Sequence, residues 1–109
     1  NIWAPWCEPC KKETEGFVRL YNRYHSKGFE ILGIAVQTTL TDVQSFINDL
    51  NVNYPIGIKD DITKLYKTIG IPSCYLFGPD GKLIKEFVGY TDEKRLQLIL
   101  DEALKKFSK

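Results

Sequence analysis

The stretch NIWAPWCEPCKKE at residues 1–13 contains two cysteines, Cys7 and Cys10, with Trp6 before the first and Pro9 before the second. A Cys-x-x-Cys pair serves as a redox couple, as half of a metal site or as a structural disulfide. Pro9 suits the first turn of a helix, where its missing N–H leaves no helical hydrogen bond unmade. The stretch therefore predicts a helix that begins at the cysteine pair.

The residues after the pair have the apolar spacing of a helix. Hydrophobic side chains recur every three or four residues, at Phe17, Leu20, Tyr21 and Tyr24. Gly28 is a suitable stop, so the pattern predicts one helix over residues 8–27. Free backbone N–H groups and the positive end of the helix dipole would then lie near Cys7 and favour its thiolate, which is the nucleophile of disulfide exchange. Cys10, one turn later, could attack the mixed disulfide formed at Cys7.

A metal site and a structural disulfide are the alternative roles for the pair. Zinc usually takes four ligands, and the other soft or imidazole donors in the chain are Cys74 and His25. His25 would lie roughly 22 Å from Cys10 along the same helix at about 1.5 Å per residue, so it cannot join a mononuclear site. A disulfide over so short a span closes too small a loop to restrict the unfolded chain much. The sequence favours a redox couple and predicts no metal ligands, with the other two roles kept as alternatives.

Composition and charge exclude several classes of protein. A chain of 109 residues, 43% of them hydrophobic, is predicted to form one domain over residues 1–109. The 15 basic and 14 acidic residues leave a net charge of +1 with no basic block, so we expect no nucleic-acid partner. Apolar runs are far shorter than the ~20 residues that span a bilayer. An odd cysteine count indicates one functional pair and a spare thiol, Cys74, which is expected to pack in the core, with a regulatory or third redox thiol as the alternative.

The rest of the chain alternates between strand and helix patterns. Apolar runs predict strands at 29–36 and 54–58, periodic segments predict helices at 39–51, 61–70 and 92–107, and two strand-like runs around Pro79-Asp80-Gly81 predict an antiparallel hairpin at 73–89. The helix at 39–51 would be capped by Thr39 or Thr41. Together the segments predict a mixed α/β sheet with helices on both faces.

Two stretches of the chain resemble the thioredoxin superfamily. The stretch at 1–13 and the segment GIPSCYLFGPDGKLIKEFVGY at 70–90 look most like the TlpA/ResA/DsbE branch of thiol–disulfide oxidoreductases, and the likeness extends to about Leu104. It implies a thioredoxin-like fold and an enzyme that needs no dissociable cofactor. It also implies that Cys7 is the exposed attacking cysteine and that Cys10 is the buried resolving one.

The resemblance also implies where a substrate would bind. Pro72 matches the family's cis-proline, with Ile71 before it, and the backbone beside this proline pairs with the bound polypeptide as an added strand. Glu8 and Pro9, which lie between the cysteines, are expected to set the geometry and redox balance of the site. Trp6 is expected to shield and line it.

Two further positions distinguish this chain within the superfamily. Glu13 matches a glutamate that tunes the cysteine pair or moves protons in ResA-like members, and the alternative is a solvated glutamate on the helix surface. Asn1 stands where thioredoxin itself has a buried aspartate that relays protons. Because asparagine cannot take up a proton at neutral pH, Glu13 is left as the acid placed to assist Cys10.

The family's sheet places the strand before the cysteine pair at its centre. Only residues 1–4 of that strand are present, so we expect at least one more strand upstream, where any export signal or membrane anchor would also lie. Complete pairing of the sheet by this chain alone would contradict that expectation.

The resemblance implies a reductase that works outside the cytoplasm, in the periplasm or at the outer face of the membrane. Its expected partners are protein substrates with disulfides, such as apocytochromes in cytochrome c maturation, and an upstream thiol reductant. The alternatives are an oxidant or isomerase with the same site and a thioredoxin-fold metal-binding module. A peroxidase is disfavoured because the pattern P-x-x-x-[TS]-x-x-C is not present at Cys7.

Overall fold

The computed structural model describes residues 1–107, so the last two residues of the predicted domain lie outside the described range. Its strands are β1 (Ile2–Trp3), β2 (Gly33–Ala35), β3 (Ile56–Ile58), β4 (Ser73–Phe77) and β5 (Leu83–Val88). Its α-helices are α1 (Glu8–Tyr24), α2 (Leu40–Leu50), α3 (Ile62–Leu65) and α4 (Glu93–Phe107), and a 3-10 turn follows α1 at His25–Lys27.

The strands form one mixed sheet in the order β3-β2-β1-β4-β5. β1 pairs in parallel with β2, and β2 pairs in parallel with β3. β4 runs antiparallel to both β1 and β5. The mixed α/β sheet predicted from the sequence is confirmed, and its central strand leads directly into the cysteine pair.

The predicted element ends differ from the observed ones where local hydrogen bonds intervene. The helix predicted over 8–27 ends at Tyr24, whose carbonyl oxygen accepts from the backbone N–H of Phe29 at 3.3 Å and closes the helix end. The strand predicted over 29–36 is confined to Gly33–Ala35. Its pairing with the neighbouring strand β3 covers only these three residues, from Gly33 opposite Ile56 to Ala35 opposite Ile58.

The two local predictions about caps and turns are resolved by side-chain hydrogen bonds. Thr39, not Thr41, caps α2, because its hydroxyl oxygen accepts from the backbone N–H of Asp42 at 3.2 Å. The hairpin between β4 and β5 is confirmed. Asp80 Oδ1 accepts from the N–H of Lys82 at 3.1 Å, and Gly81 takes a φ of +81° that a residue with a Cβ adopts rarely.

Buried side chains form two groups, and the cysteine pair belongs to one of them. The first group joins α1 to α4 through Phe17, Leu20, Leu96 and Leu100, and it includes Cys74. The second joins α2 to the end of β1 and the start of α1 through Trp3, Ala4, Cys7, Cys10, Val43 and Phe46. Trp3 and Phe46 lie 4.5 Å apart between ring centroids, which fixes the chain just before the pair.

β1 pairs only partly with its neighbour β4. Ile2 lies opposite Ser73, whereas the described residues provide no β1 partner for Tyr75 to Phe77. An apolar trough of about 1010 Å³ follows this edge, lined among others by Leu76, Phe87 and Leu100. The observed pairing does not complete the sheet, so the upstream strand stays a prediction. No helix within residues 1–107 is long and apolar enough to cross a membrane.

Candidate active site

Cys7 and Cys10 form a disulfide at the N-terminal end of α1, with their Cα atoms 5.2 Å apart. Cys7 is the N-cap residue, and its sulfur accepts from the backbone N–H of Cys10 at 3.3 Å. This contact places Cys7 Sγ among the free N–H groups of the first turn, where a thiolate is stabilised. Cys7 is 7% exposed and Cys10 1% exposed, so Cys7 is the more accessible of the two, although it is less exposed than the sequence led us to expect.

The Ile71–Pro72 peptide bond is cis, as the resemblance implied. Ile71 packs against the buried group that holds both cysteines. The carbonyl oxygen of Pro72 accepts from the N–H of Gly89 at 2.8 Å, which ties the proline to the end of β5. Within residues 1–107, Ile71 makes no backbone–backbone hydrogen bond, so its N–H and C=O remain available to an added strand.

Glu13 is buried, with 2% of its surface exposed, so the alternative of a solvated surface glutamate is wrong. Its Oε2 accepts from the backbone N–H of Thr91 at 2.9 Å. Its Oε1 accepts from Asn1 Nδ2 at 3.2 Å and from the Cys74 thiol at 3.3 Å. Burial raises the pKa of the Glu13 carboxyl above its ordinary value, and these hydrogen bonds offset part of that rise.

Cys10 and Glu13 lie on one face of α1. Residues three apart on a helix are surface neighbours with roughly 5–6 Å between their Cβ atoms. Both side chains are buried, so the Glu13 carboxyl is shielded from water on the same side of the helix as Cys10.

Trp6, Glu8 and Pro9 form the exposed rim around Cys7. Trp6 is 59% exposed, and its indole N–H donates to the carbonyl oxygen of Gln37 at 3.0 Å. Gln37 has a φ of +51°, and its own N–H donates to Asp60 Oδ1 at 2.7 Å. The indole is thus held by one edge, and its apolar surface remains open to solvent beside the disulfide.

The contact between Cys74 and Glu13 was not foreseen from the sequence, although Cys74 is buried as expected. The position of Asn1 offered a partial signal. β1 and β4 run antiparallel with Ile2 opposite Ser73, which brings Asn1 and Cys74 opposite each other. Thr91 gave no signal, because it contributes a backbone N–H after the hairpin rather than a side chain.

The alternative of a metal site has little support in the described residues. Residues 1–107 contain no group of three or more His, Cys, Asp or Glu side chains placed to hold a metal ion. His25 lies in the 3-10 turn at the far end of α1, where its Nδ1 is 3.0 Å from the carbonyl oxygen of Phe29. The imidazole is therefore occupied at the end of the helix opposite the cysteine pair.

The chain is similar to known proteins over nearly its whole length. The model of the AhpC/TSA family matches residues 1–86. A protein named thiol-disulfide oxidoreductase ResA from Bacillus thuringiensis subsp. konkukian is 34% identical over 110 residues, which cover 99% of this chain and 61% of that protein. The ResA of Bacillus subtilis is 32% identical over 98 residues, covering 88% of this chain and 55% of that protein. The chain thus spans about six tenths of the length of the relatives that it matches.

Solved structures give the same fold. A thiol:disulfide interchange protein of the thioredoxin family from Chlorobium tepidum superposes with a TM-score of 0.88 at 25% identity, covering 95% of this chain and 77% of that one. StoA from Bacillus subtilis superposes with a TM-score of 0.77 at 25% identity, covering 89% and 76%. The chain therefore belongs to the AhpC/TSA family and has a thioredoxin-like fold, and it is similar to the ResA proteins.

Proposed function

We propose that this domain catalyses thiol–disulfide exchange on protein substrates, with Cys7 as the attacking and Cys10 as the resolving cysteine. The observation that carries the proposal is the Cys7–Cys10 disulfide at the start of α1, with Ile71 packed against the buried group that holds both cysteines. The name thiol-disulfide oxidoreductase carried by the ResA relatives is consistent with it.

The first step is attack by reduced Cys7 on a substrate disulfide. The Cys7 thiolate bonds to one substrate sulfur, the substrate S–S bond breaks, and the other substrate sulfur leaves as a thiolate. The first-turn N–H groups and the helix dipole favour the charged form of Cys7 that this step consumes. The product is a mixed disulfide between Cys7 and the substrate.

The second step is resolution by Cys10. The Cys10 thiol transfers its proton to the Glu13 carboxylate, and the resulting thiolate attacks Cys7 Sγ. The mixed disulfide breaks, the second substrate thiolate leaves, and the Cys7–Cys10 disulfide forms. The raised pKa of the buried Glu13 carboxyl suits it to accept a proton from a group that holds its own proton at neutral pH.

Substrate binding would use the rim and the backbone beside Pro72. A polypeptide lying as an added strand along Ile71 would find its unengaged N–H and C=O groups. The exposed face of Trp6 and the apolar ring of Pro9 would contact the substrate on either side of its disulfide. Exposed Glu8 gives the rim a negative charge, which its ion pair with Lys11 at 3.7 Å partly offsets.

We further propose that the domain works as a reductase outside the cytoplasm, with an upstream thiol donor that reduces the Cys7–Cys10 disulfide after each turnover. The substrates would be exported proteins with disulfides, of the kind handled in cytochrome c maturation. An oxidant with the same site is the competing candidate, because direction depends on the reduction potential and on the partners.

The reduction potential of the Cys7–Cys10 pair tests both the activity and its direction. Protein equilibrated in glutathione or dithiothreitol buffers should show one two-electron couple near the ~−270 mV of thioredoxin. A value near the ~−120 mV of DsbA would make the domain an oxidant. If no two-electron couple is found, the proposed exchange activity is wrong.

A further inference from the structure

Cys74 is a buried thiol that the exchange reaction does not itself use. It lies on β4, two residues beyond Pro72, and within residues 1–107 it is the cysteine outside the disulfide. Its Sγ–H donates to Glu13 Oε1 at 3.3 Å. Asn1 Nδ2 donates to Cys74 Sγ at 3.0 Å and to the same Glu13 oxygen at 3.2 Å. The three side chains therefore form a closed triangle of hydrogen bonds.

Within the triangle, Asn1 and Cys74 donate hydrogen bonds to one of the two carboxylate oxygens of Glu13, Oε1. Oε2 is held by the backbone N–H of Thr91, a contact that no side-chain change removes. Oε1 depends on Asn1 and Cys74 alone among the hydrogen bonds of the described residues. A buried carboxylate without donors is costly, so each of these two donors stabilises the ionised form of Glu13.

Cys74 is suited to donate a hydrogen bond and unsuited to react. Burial, with the neighbouring Glu13 carboxylate, raises the pKa of the Cys74 thiol to about 12. Among the described residues, the other titratable group that faces this cluster is the phenol of Tyr54, whose pKa burial raises. At neutral pH the thiol keeps its proton and points it at Glu13.

We propose that Cys74 is a positioning residue for the exchange reaction, whose S–H orients the Glu13 carboxylate and holds it ready to accept the proton of Cys10. The inference rests on the proposed function, because it assigns to Cys74 an effect on the resolving step. It assigns no bond-forming step to Cys74 itself.

The matched variants Cys74→Ser and Cys74→Ala isolate the donor. Serine and alanine leave nearly the same space beside Glu13, but only serine keeps a hydrogen on the side chain that can be donated. The proposal expects Cys74→Ala to raise the pKa of Glu13, so that the carboxylate forms only at higher pH. Cys74→Ser should stay close to the parent protein.

The measurement uses the small disulfide 5,5′-dithiobis(2-nitrobenzoate) in stopped flow with reduced protein. Attack by Cys7 releases one coloured thiolate, and resolution by Cys10 releases a second. At neutral pH the second phase should slow by about two- to tenfold in Cys74→Ala, the factor expected for loss of one hydrogen bond. Its pH midpoint should move upward, while the first phase and the Cys74→Ser variant stay near the parent values.

The same pair of substitutions in a Glu13→Gln background is the decisive control. If Cys74 acts through Glu13, Cys74→Ala has no further effect on the second phase there. An equal slowing in that background, an equal effect of alanine and serine, or no effect of alanine in the parent would each overturn the proposal. A parent protein without a Cys10-dependent second phase would instead overturn the proposed function.

A variant-free measurement keeps the proposal testable if Cys74→Ala fails to fold. The S–H stretching band of Cys74 in the oxidised parent protein reports its hydrogen bond by infrared absorption. The band should shift to lower frequency as Glu13 ionises with rising pH, and it should not shift in Glu13→Gln. A band that ignores pH in the parent would show that the thiol does not donate to Glu13, and the proposal would be wrong.

Discussion

The site has an exposed rim and a buried interior, and both are formed by residues at or near the start of α1. At the rim, Trp6, Glu8 and Pro9 are exposed around the sulfur of Cys7. In the interior, Cys10 and Glu13 are almost fully buried. One helix therefore presents exposed side chains to solvent at its start and keeps two other side chains away from water on its inner face.

Under the proposed function, this difference would separate two tasks of one catalytic cycle. Substrate recognition would use the apolar surface of the rim and the free backbone groups of Ile71. Resolution would use the carboxyl of Glu13, whose proton affinity is raised by burial, as the base. Substitutions at the rim should therefore alter substrate binding, and substitutions in the interior should alter the rate of the second chemical step.

The largest expected effects come from the two sulfurs. Cys7→Ser removes the attacking nucleophile and should abolish reduction of both a protein disulfide and a small disulfide. Cys10→Ser leaves attack intact but removes resolution, so the enzyme should accumulate as a mixed disulfide. Mass spectrometry after mixing with insulin should find the adduct in Cys10→Ser alone. An adduct on Cys10 in the Cys7→Ser variant would reverse the assigned roles.

The next effect in size is expected from Glu13→Gln. General-base catalysis contributes typically 100-fold or more, so we expect the second thiolate release in stopped flow to slow by about 100-fold. The first release should be unchanged, because attack by Cys7 needs no proton transfer to Glu13. Equal slowing of both phases would mean that Glu13 acts on the whole site and not on resolution.

Burial of Glu13 should also make the stability of the folded protein depend on pH. In the unfolded chain its carboxyl ionises near a pKa of about 4.3, whereas burial raises the pKa in the folded protein. The unfolded state therefore releases this proton first as the pH rises, and the folded protein loses stability between the two values. In the oxidised protein, the melting temperature of the parent should fall over that window relative to Glu13→Gln. Parallel pH profiles would contradict the burial argument.

The rim could be read from sequence, because it is built from neighbours in the chain. The W-C-x-P-C pattern placed Trp6, Glu8 and Pro9 beside Cys7 through helix geometry and a family resemblance. The hairpin at Pro79-Asp80-Gly81 was equally local, since turn residues set their own backbone angles.

The buried interior of the site could not be predicted from sequence in the same way, because the residues that contact Glu13 come from distant elements. Glu13 contacts Asn1, Cys74 and Thr91, which lie just before β1, on β4 and after β5. Helix spacing puts Glu13 on the same face as Phe17 and Leu20, but spacing alone could not tell whether a carboxylate at that position would be covered. The strand at Gly33–Ala35 was shorter than its apolar run for a related reason, because its pairing with β3, and not its hydrophobicity, sets its length.

The smallest effect is expected at the rim, from Trp6→Ala. Loss of the exposed indole removes apolar contact with a polypeptide, so KM for insulin reduction should rise by about five- to tenfold, the range that corresponds to truncating a contact residue at 1 kcal/mol or somewhat more. The rate with the small disulfide should not change, because that probe is too small to need the rim.

Trp6→Phe is the matched control, because it keeps an aromatic face and removes only the N–H that donates to Gln37. If apolar contact is what the rim provides, phenylalanine should recover most of the affinity for insulin. If phenylalanine is as poor as alanine, the hydrogen bond to Gln37 sets the orientation of the indole, and Asp60→Ala should then raise KM similarly because Asp60 holds Gln37 in place. A loss of rate with the small disulfide in any of these variants would show that the rim and the interior are coupled. It would contradict the assignment of substrate binding to the rim and of resolution to the interior.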